Sequence, residues 1–175
     1  RMGFMAITGG SRGIGASTAH HLARRAMGVT LTYKRSSPAA RQVVADIEHF
    51  GGRAVALELD VADVGSFIGF REAVIEALQG NWGVSGLAGL VNNAGHGLFN
   101  PLESVSEHQF DALLSVHLKG PFFLTQALLP LLEANACIVN LTSATTRVAT
   151  AGVAPYASFK GGLKVLTRYM PKELG

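Results

Sequence analysis

Short apolar runs rich in β-branched residues fall at about 3–8, 29–34, 53–59, 88–92 and 136–142. Between them the apolar spacing becomes helical, at about 13–27, 38–50, 63–79, 106–133 and 155–174. Strands this uniformly apolar suit a sheet covered on both faces, and strand–helix alternation predicts parallel pairing through right-handed crossovers. The expected fold class is therefore α/β: a Rossmann-like doubly wound parallel sheet with helices on both faces and ligands at the carboxyl ends of its strands. No linker, internal repeat or low-complexity segment interrupts the pattern, so residues 1–175 are expected to form one domain.

The element boundaries carry their own signals. Pro38 sits where the first turn of the second helix is expected, and Gly51-Gly52 lies just past its end. Asp63 is placed to cap the third helix. Ser106-Glu107-His108-Gln109 has the form of a capping box, which starts the long fourth helix. Pro121 then falls inside that helix and is expected to kink or divide it near Lys119-Gly120, because proline removes a helical hydrogen bond.

The first strand runs into Thr8-Gly9-Gly10-Ser11-Arg12-Gly13-Ile14-Gly15 and then a helix. Glycines allow a tight turn and close approach of backbone to a ligand, while the amides and positive dipole end of the following helix suit a pyrophosphate. A plain strand-to-helix turn is the alternative. About twenty residues on, an acidic residue would hold a ribose 2′-hydroxyl; this chain has Thr32-Tyr33-Lys34-Arg35-Ser36 instead. Lys34, Arg35 and Arg12 suit a 2′-phosphate, which favours NADP over NAD, although a basic pair also suits a solvated loop. Leu59-Asp60-Val61 closes the third strand with an acid that can accept from an adenine amino group or serve a turn. Val91-Asn92-Asn93-Ala94-Gly95 closes the fourth with small residues that admit a cofactor and amides that can pin backbone.

Composition narrows the partners. Hydrophobic residues make up 48% and charged residues 15%, in keeping with a substantial core. A net charge of +3, scattered rather than massed, argues against nucleic acid. The most apolar stretch, Pro121 to Leu132, is too short for a bilayer and reads as a buried helix, so no membrane partner is expected. The single Cys137 and the absence of a recognisable leader point to the cytoplasm, and no metal site is read. Arg1 ahead of Met2 reads as an edited start.

Tyr156 and Lys160 stand four apart, on one face of the last helix, and Ser143 ends the fifth strand on the same expected sheet edge as the glycine turn. A phenol with a pKa of about 10 is a weak acid–base group at neutral pH, and a nearby cation favours its phenolate. Ser143 can hold a substrate oxygen while Tyr156 exchanges its proton. Read singly, these residues are also an ordinary strand-end hydroxyl and an exposed helical pair.

Taken together, Thr8-Gly9 through Gly13-Ile14-Gly15, Asp60-Val61, Asn92-Asn93-Ala94-Gly95, Ser143, and Tyr156 with Lys160 resemble the short-chain dehydrogenase/reductase family in its classical branch. The order and spacing match from Gly3 to the last residue. The resemblance implies that Thr8 and Asn93 brace the cofactor turn, that Asp60 contacts adenine, and that Lys160 also binds the nicotinamide ribose. Together with the basic residues read above, the expected cofactor-binding set is Gly9, Ser11, Arg12, Gly13, Ile14, Gly15, Lys34, Arg35, Asp60, Val61, Asn93, Ala94, Gly95, Tyr156 and Lys160. The implied activity is NADP-dependent hydride transfer to a carbonyl or from a secondary alcohol, with Ser143, Tyr156 and Lys160 catalytic.

Two departures from the family pattern stand out. His117 occupies the place of an asparagine associated with a water-mediated proton relay; histidine can donate, accept and titrate near neutrality, so it is a fourth catalytic candidate, with packing the alternative. Family members also continue by roughly another third of a chain, so the fifth strand is expected to form an edge here. A nucleotide-binding or assembly module without turnover is the competing function, separable by turnover of a carbonyl panel. The fourth and last helices carry Phe122, Phe123, Leu128 and Leu131, and Tyr156, Leu163 and Leu166; with the resemblance they imply a homodimer or homotetramer.

Overall fold

The computed structural model describes residues 3–175; Arg1 and Met2, and with them the reading of an edited start, lie outside the described residues. All four residues of β1 (Phe4–Ile7) are buried, because alternate side chains enter two separate cores. It lies at the centre of a parallel sheet with β2 (Gly28–Tyr33), β3 (Ala54–Glu58), β4 (Leu87–Asn92) and β5 (Leu132–Asn140), in the order β3-β2-β1-β4-β5. Its register sets Ile7 beside both Leu31 and Val91. The chain moves outward from β1 through β2 to β3 and then returns to the other side of β1 for β4. Connections therefore diverge at the carboxyl ends of β1 and β4 and open a crevice there.

On one face, Met5, Ile7 and Leu31 pack against Ala19 and Ala23 of α1 (Gly13–Arg24) and Ala40, Val43 and Ile47 of α2 (Ser37–His49). On the other, Phe4, Ala6 and Leu90 meet Phe67, Val74 and Leu78 of α3 (Phe67–Trp82) and Leu124 and Leu128 of α5 (Gly120–Leu128). Pro38 stands in the first turn of α2 as expected, and Gly51 past its end adopts φ +82°. Asp63 does not cap α3. A short 3-10 turn, Val64–Ser66, intervenes, and the Asp63 carbonyl accepts from Ser66 Oγ at 2.7 Å while its side chain makes no capping bond.

The long fourth helix is divided. Its capping box is complete, with Gln109 N–H donating to Ser106 Oγ (3.2 Å) and Ser106 N–H to Gln109 Oε1 (3.0 Å). After α4 (Glu107–Leu114) the backbone widens into a π turn, Ser115–Lys119, before α5 begins. Pro121 lacks the N–H an unbroken α-helix would need, and the Gly120 N–H reaches back to the Ser115 carbonyl. A Cβ on Gly120 would strike the carbonyl of Val61, so glycine lets this turn approach the end of β3. Pro130 lies in a closing 3-10 turn, and β5 starts at Leu132, earlier than the sequence pattern suggests.

The run Glu107–Leu131 is 25 residues long and apolar enough to cross a membrane by length and composition alone. Leu113, Leu124 and Leu128, however, are fully buried in this fold. The last helix, α6 (Ala154–Leu174), is tied to β5 by a 2.9 Å hydrogen bond from Asn140 Nδ2 to Thr167 Oγ1. As expected, β5 is an edge among the described residues, pairing with β4 alone, and its Cys137 and Val139 are exposed.

Candidate active site

The glycine turn after β1 is held from the far side of the crevice. Thr8 Oγ1 accepts from the backbone N–H groups of Asn93 (3.0 Å) and Ala94 (2.9 Å), and Asn93 Nδ2 donates to the carbonyls of Thr8 (2.8 Å) and Gly9 (3.0 Å). Gly9 and Gly13 have φ of +65° and +56°, a region that favours glycine. A Cβ on Gly15 would collide with the Gly9 carbonyl oxygen, so that position admits no side chain without moving the turn. The result is a stiff backbone cradle. No side chain caps the start of α1, which leaves its first-turn amides free for a ligand.

The cradle opens into a cavity of about 640 Å³ bounded by the turn, the ends of β2, β3 and β4, and the π turn. Of the residues expected to bind cofactor, Gly9, Ser11, Arg12, Gly13, Ile14, Lys34, Arg35, Asp60, Val61, Asn93, Ala94 and Gly95 line it. Gly15 lies behind the turn, and Tyr156 and Lys160 are not among the lining residues. The sequence reading missed Thr32, Tyr33, Ser36, Leu59, His96 and Val116. Thr32 had a legible signal, a hydroxyl two residues before the basic pair; its Oγ1 accepts from the Gly9 N–H at 3.2 Å. Val116 had none, because only the packing of the divided helix brings it there.

Asp60 is engaged in a way the sequence did not suggest. Its Oδ2 lies 2.6 Å from Lys34 Nζ and its Oδ1 accepts from the Ala62 N–H at 3.0 Å. Burial pushes this carboxyl up, but the Lys34 ammonium, the Ala62 amide and the charge of Arg35 outweigh it and hold the group below its ordinary range.

A second cluster forms where α6 meets the π turn. Lys160 is 5% exposed; its Nζ donates to the Leu141 carbonyl at 2.6 Å and lies 5.8 Å from the centroid of the Tyr156 ring. Burial lowers the Lys160 pKa. The His117 ring stands edge-on to Tyr156 at 4.9 Å, and His117 Nε2 lies 2.6 Å from the His96 carbonyl oxygen. A carbonyl only accepts, so Nε2 carries the proton, and Nδ1 is left as a buried acceptor without a protein partner. Burial, reinforced by the charges of Lys160 and His96 and only partly opposed by the His96 carbonyl, pushes the His117 pKa down to about 4. His117 is therefore neutral near pH 7, whereas the sequence alone suggested titration near neutrality.

Ser143 follows β5 and precedes a 3-10 turn, Ala144–Thr146. Its Oγ accepts from the Thr145 N–H (3.2 Å) and the Thr145 hydroxyl (2.9 Å), which leaves its own proton free to donate outward. The carboxyl edge of the sheet, with α6 packed beside it, thus carries a backbone cradle, a basic cavity, a phenol beside a buried ammonium, and a hydroxyl oriented as a donor.

The sequence profile described as short chain dehydrogenase matches residues 4–175. The chain belongs to that family. It is 34% identical over 172 residues to the short-chain dehydrogenase/reductase FrzI of Cladobotryum sp, covering 97% of this chain and 63% of that protein. It is likewise 34% identical over 170 residues to a 3-oxoacyl-[acyl-carrier-protein] reductase of Synechocystis sp., covering 96% of this chain and 66% of that one. The chain thus spans somewhat under two-thirds of the length of these curated relatives. Among solved family structures, the angucycline C-6 ketoreductase LanV with bound NADP superposes with TM-score 0.92 at 31% identity, covering 97% of this chain and 68% of that one. A short chain dehydrogenase from Burkholderia cenocepacia J2315 in complex with NADP gives TM-score 0.89 at 37% identity, covering 98% and 68%.

Proposed function

We propose that residues 1–175 form one NADP-binding oxidoreductase domain acting on a carbonyl or the corresponding secondary alcohol. The observation that carries this reading is the buried Lys160 ammonium beside Tyr156, at the sheet edge that also bears the glycine cradle. The fit of a dinucleotide rests on the same geometry: the turn has no room for a Cβ at Gly15, the first amides of α1 are uncapped, and Arg12, Lys34 and Arg35 line one cavity. Those three cations and the lack of an acid after β2 support the phosphorylated cofactor, as do the NADP complexes of LanV and the Burkholderia cenocepacia enzyme.

A nicotinamide dinucleotide bound there supplies or accepts the hydride. The chain's own residues handle the oxygen. Ser143, its acceptor positions filled by Thr145, donates a hydrogen bond to the substrate oxygen, and Tyr156 gives that oxygen its proton in reduction or takes it in oxidation. The Lys160 ammonium stabilises negative charge developing on the phenol oxygen. His117, neutral and fixed through Nε2, offers an acceptor at Nδ1 rather than a proton.

Tyr156→Phe in the intact protein is expected to lower turnover about 10²–10⁴-fold, the usual contribution of acid–base catalysis, with NADPH affinity nearly unchanged. Lys160→Ala should damage both quantities. Wild-type turnover by Tyr156→Phe on a confirmed substrate would remove Tyr156 from the mechanism.

A further inference from the structure

We propose that Lys34 and Asp60 act as one latch, closed in the free protein and opened by a 2′-phosphate but not by a 2′-hydroxyl, so that discrimination between the two cofactors depends on both residues. This deepens the NADP reading and rests on it. The latch is built by the strand register. Tyr33 pairs with Glu58, and the Leu59 N–H continues the ladder to the Tyr33 carbonyl at 2.9 Å, so Lys34 and Asp60 leave adjacent strand ends side by side. Asp60 is held by the Ala62 N–H on one oxygen and faces Lys34 Nζ at 2.6 Å with the other.

Both line the cavity that holds Arg12 and Arg35, and neither arginine has a carboxylate within 4.0 Å among the described residues. The arginines are the standing cations of this cavity. Lys34 is conditional. A hydroxyl cannot draw an ammonium from a carboxylate at this distance, whereas a phosphate, with more charge and three acceptor oxygens, can. When Lys34 turns to the phosphate, Asp60 Oδ2 is released at the cavity wall as a free acceptor for a donor such as an adenine amino group. Part of the phosphate contact is then offset by the opened pair.

The two side chains are 50% and 34% exposed, and pairs of that kind couple weakly, by up to about fivefold in a binding constant. The test is a double-mutant cycle on the intact protein, with NADPH and NADH binding measured by calorimetry for the wild type, Lys34→Met, Asp60→Asn and the double variant. Repulsion between Asp60 and the phosphate cancels in such a cycle, which leaves only the change in Lys34–Asp60 attraction on binding. Lys34→Met is expected to weaken NADPH binding several-fold more in the Asp60→Asn background than in the wild type, with no such difference for NADH. The same factor in both backgrounds for NADPH would mean the pair stays closed and overturns the latch while leaving NADP specificity intact. A wild type that binds NADPH no more tightly than NADH would instead remove the NADP reading, and the latch with it.

Discussion

Acid should destabilise this protein through one histidine. His117 is 2% exposed, its ring wedged between Tyr156 and the loop after β4, and its pKa is held at about 4 against an ordinary 6.5. The folded pKa is the lower one, so the unfolded chain takes up the proton first as pH falls. The neutral ring's contribution to stability is complete above about pH 6.5, declines as pH falls through the window, and is lost near pH 4. Linkage puts the loss at about 2 kcal/mol by pH 5, approaching roughly 3 kcal/mol below pH 4. The groups facing the ring are Lys160 and Tyr156 from α6 and His96 from the loop, and a charge on Lys160 or His96 makes protonation of the ring still less favourable. Urea unfolding at pH 7, 6 and 5 on the wild type and on His117→Asn reads this directly. Asparagine does not titrate, so the stability difference between the two proteins should shrink or reverse by about 2 kcal/mol between pH 7 and pH 5. A difference constant across that range would show that the buried ring takes its proton as easily as a free one, and would refute the reasoning.

Three further outcomes are expected. Replacing Lys34 and Arg35 together by Ala should weaken NADPH far more than NADH, each cation contributing about 1.5–3 kcal/mol at most through a charge-assisted phosphate contact, and equal losses would refute the phosphate assignment. Gly15→Ala drives a methyl group into the Gly9 carbonyl and should cost about 1–3 kcal/mol in denaturant unfolding together with loss of NADPH binding, whereas tight binding by this variant would show that the turn yields. Association as a homodimer or homotetramer is expected through α5 and α6, where Phe122 (44% exposed), Tyr169 (61%) and Leu174 (47%) flank one groove; sedimentation of the intact chain should show it, and Tyr169→Asp should weaken it. Leu128, Leu131 and Leu163, which the sequence offered for that surface, are buried in the protein's own core instead.

The fold was legible because its signals are local. Each strand is a short apolar run that needs no partner to be seen, and alternation with helices fixes parallel pairing and the crossovers. That Thr8 and Asn93 brace the glycine turn was implied by the family resemblance rather than by any local signal, and the structure joins them by hydrogen bonds across more than eighty residues of chain. Pro121 foretold the break in the long helix. What sequence could not supply was anything set by burial or by register between distant segments. The ionisation of His117 depends on how deeply the π turn sinks between α6 and the loop after β4. Lys34 meets Asp60 only because β2 and β3 end in step. Whether a leucine on an amphipathic helix faces the core or a partner was likewise decided by packing, since apolar spacing marks a face and does not say what covers it.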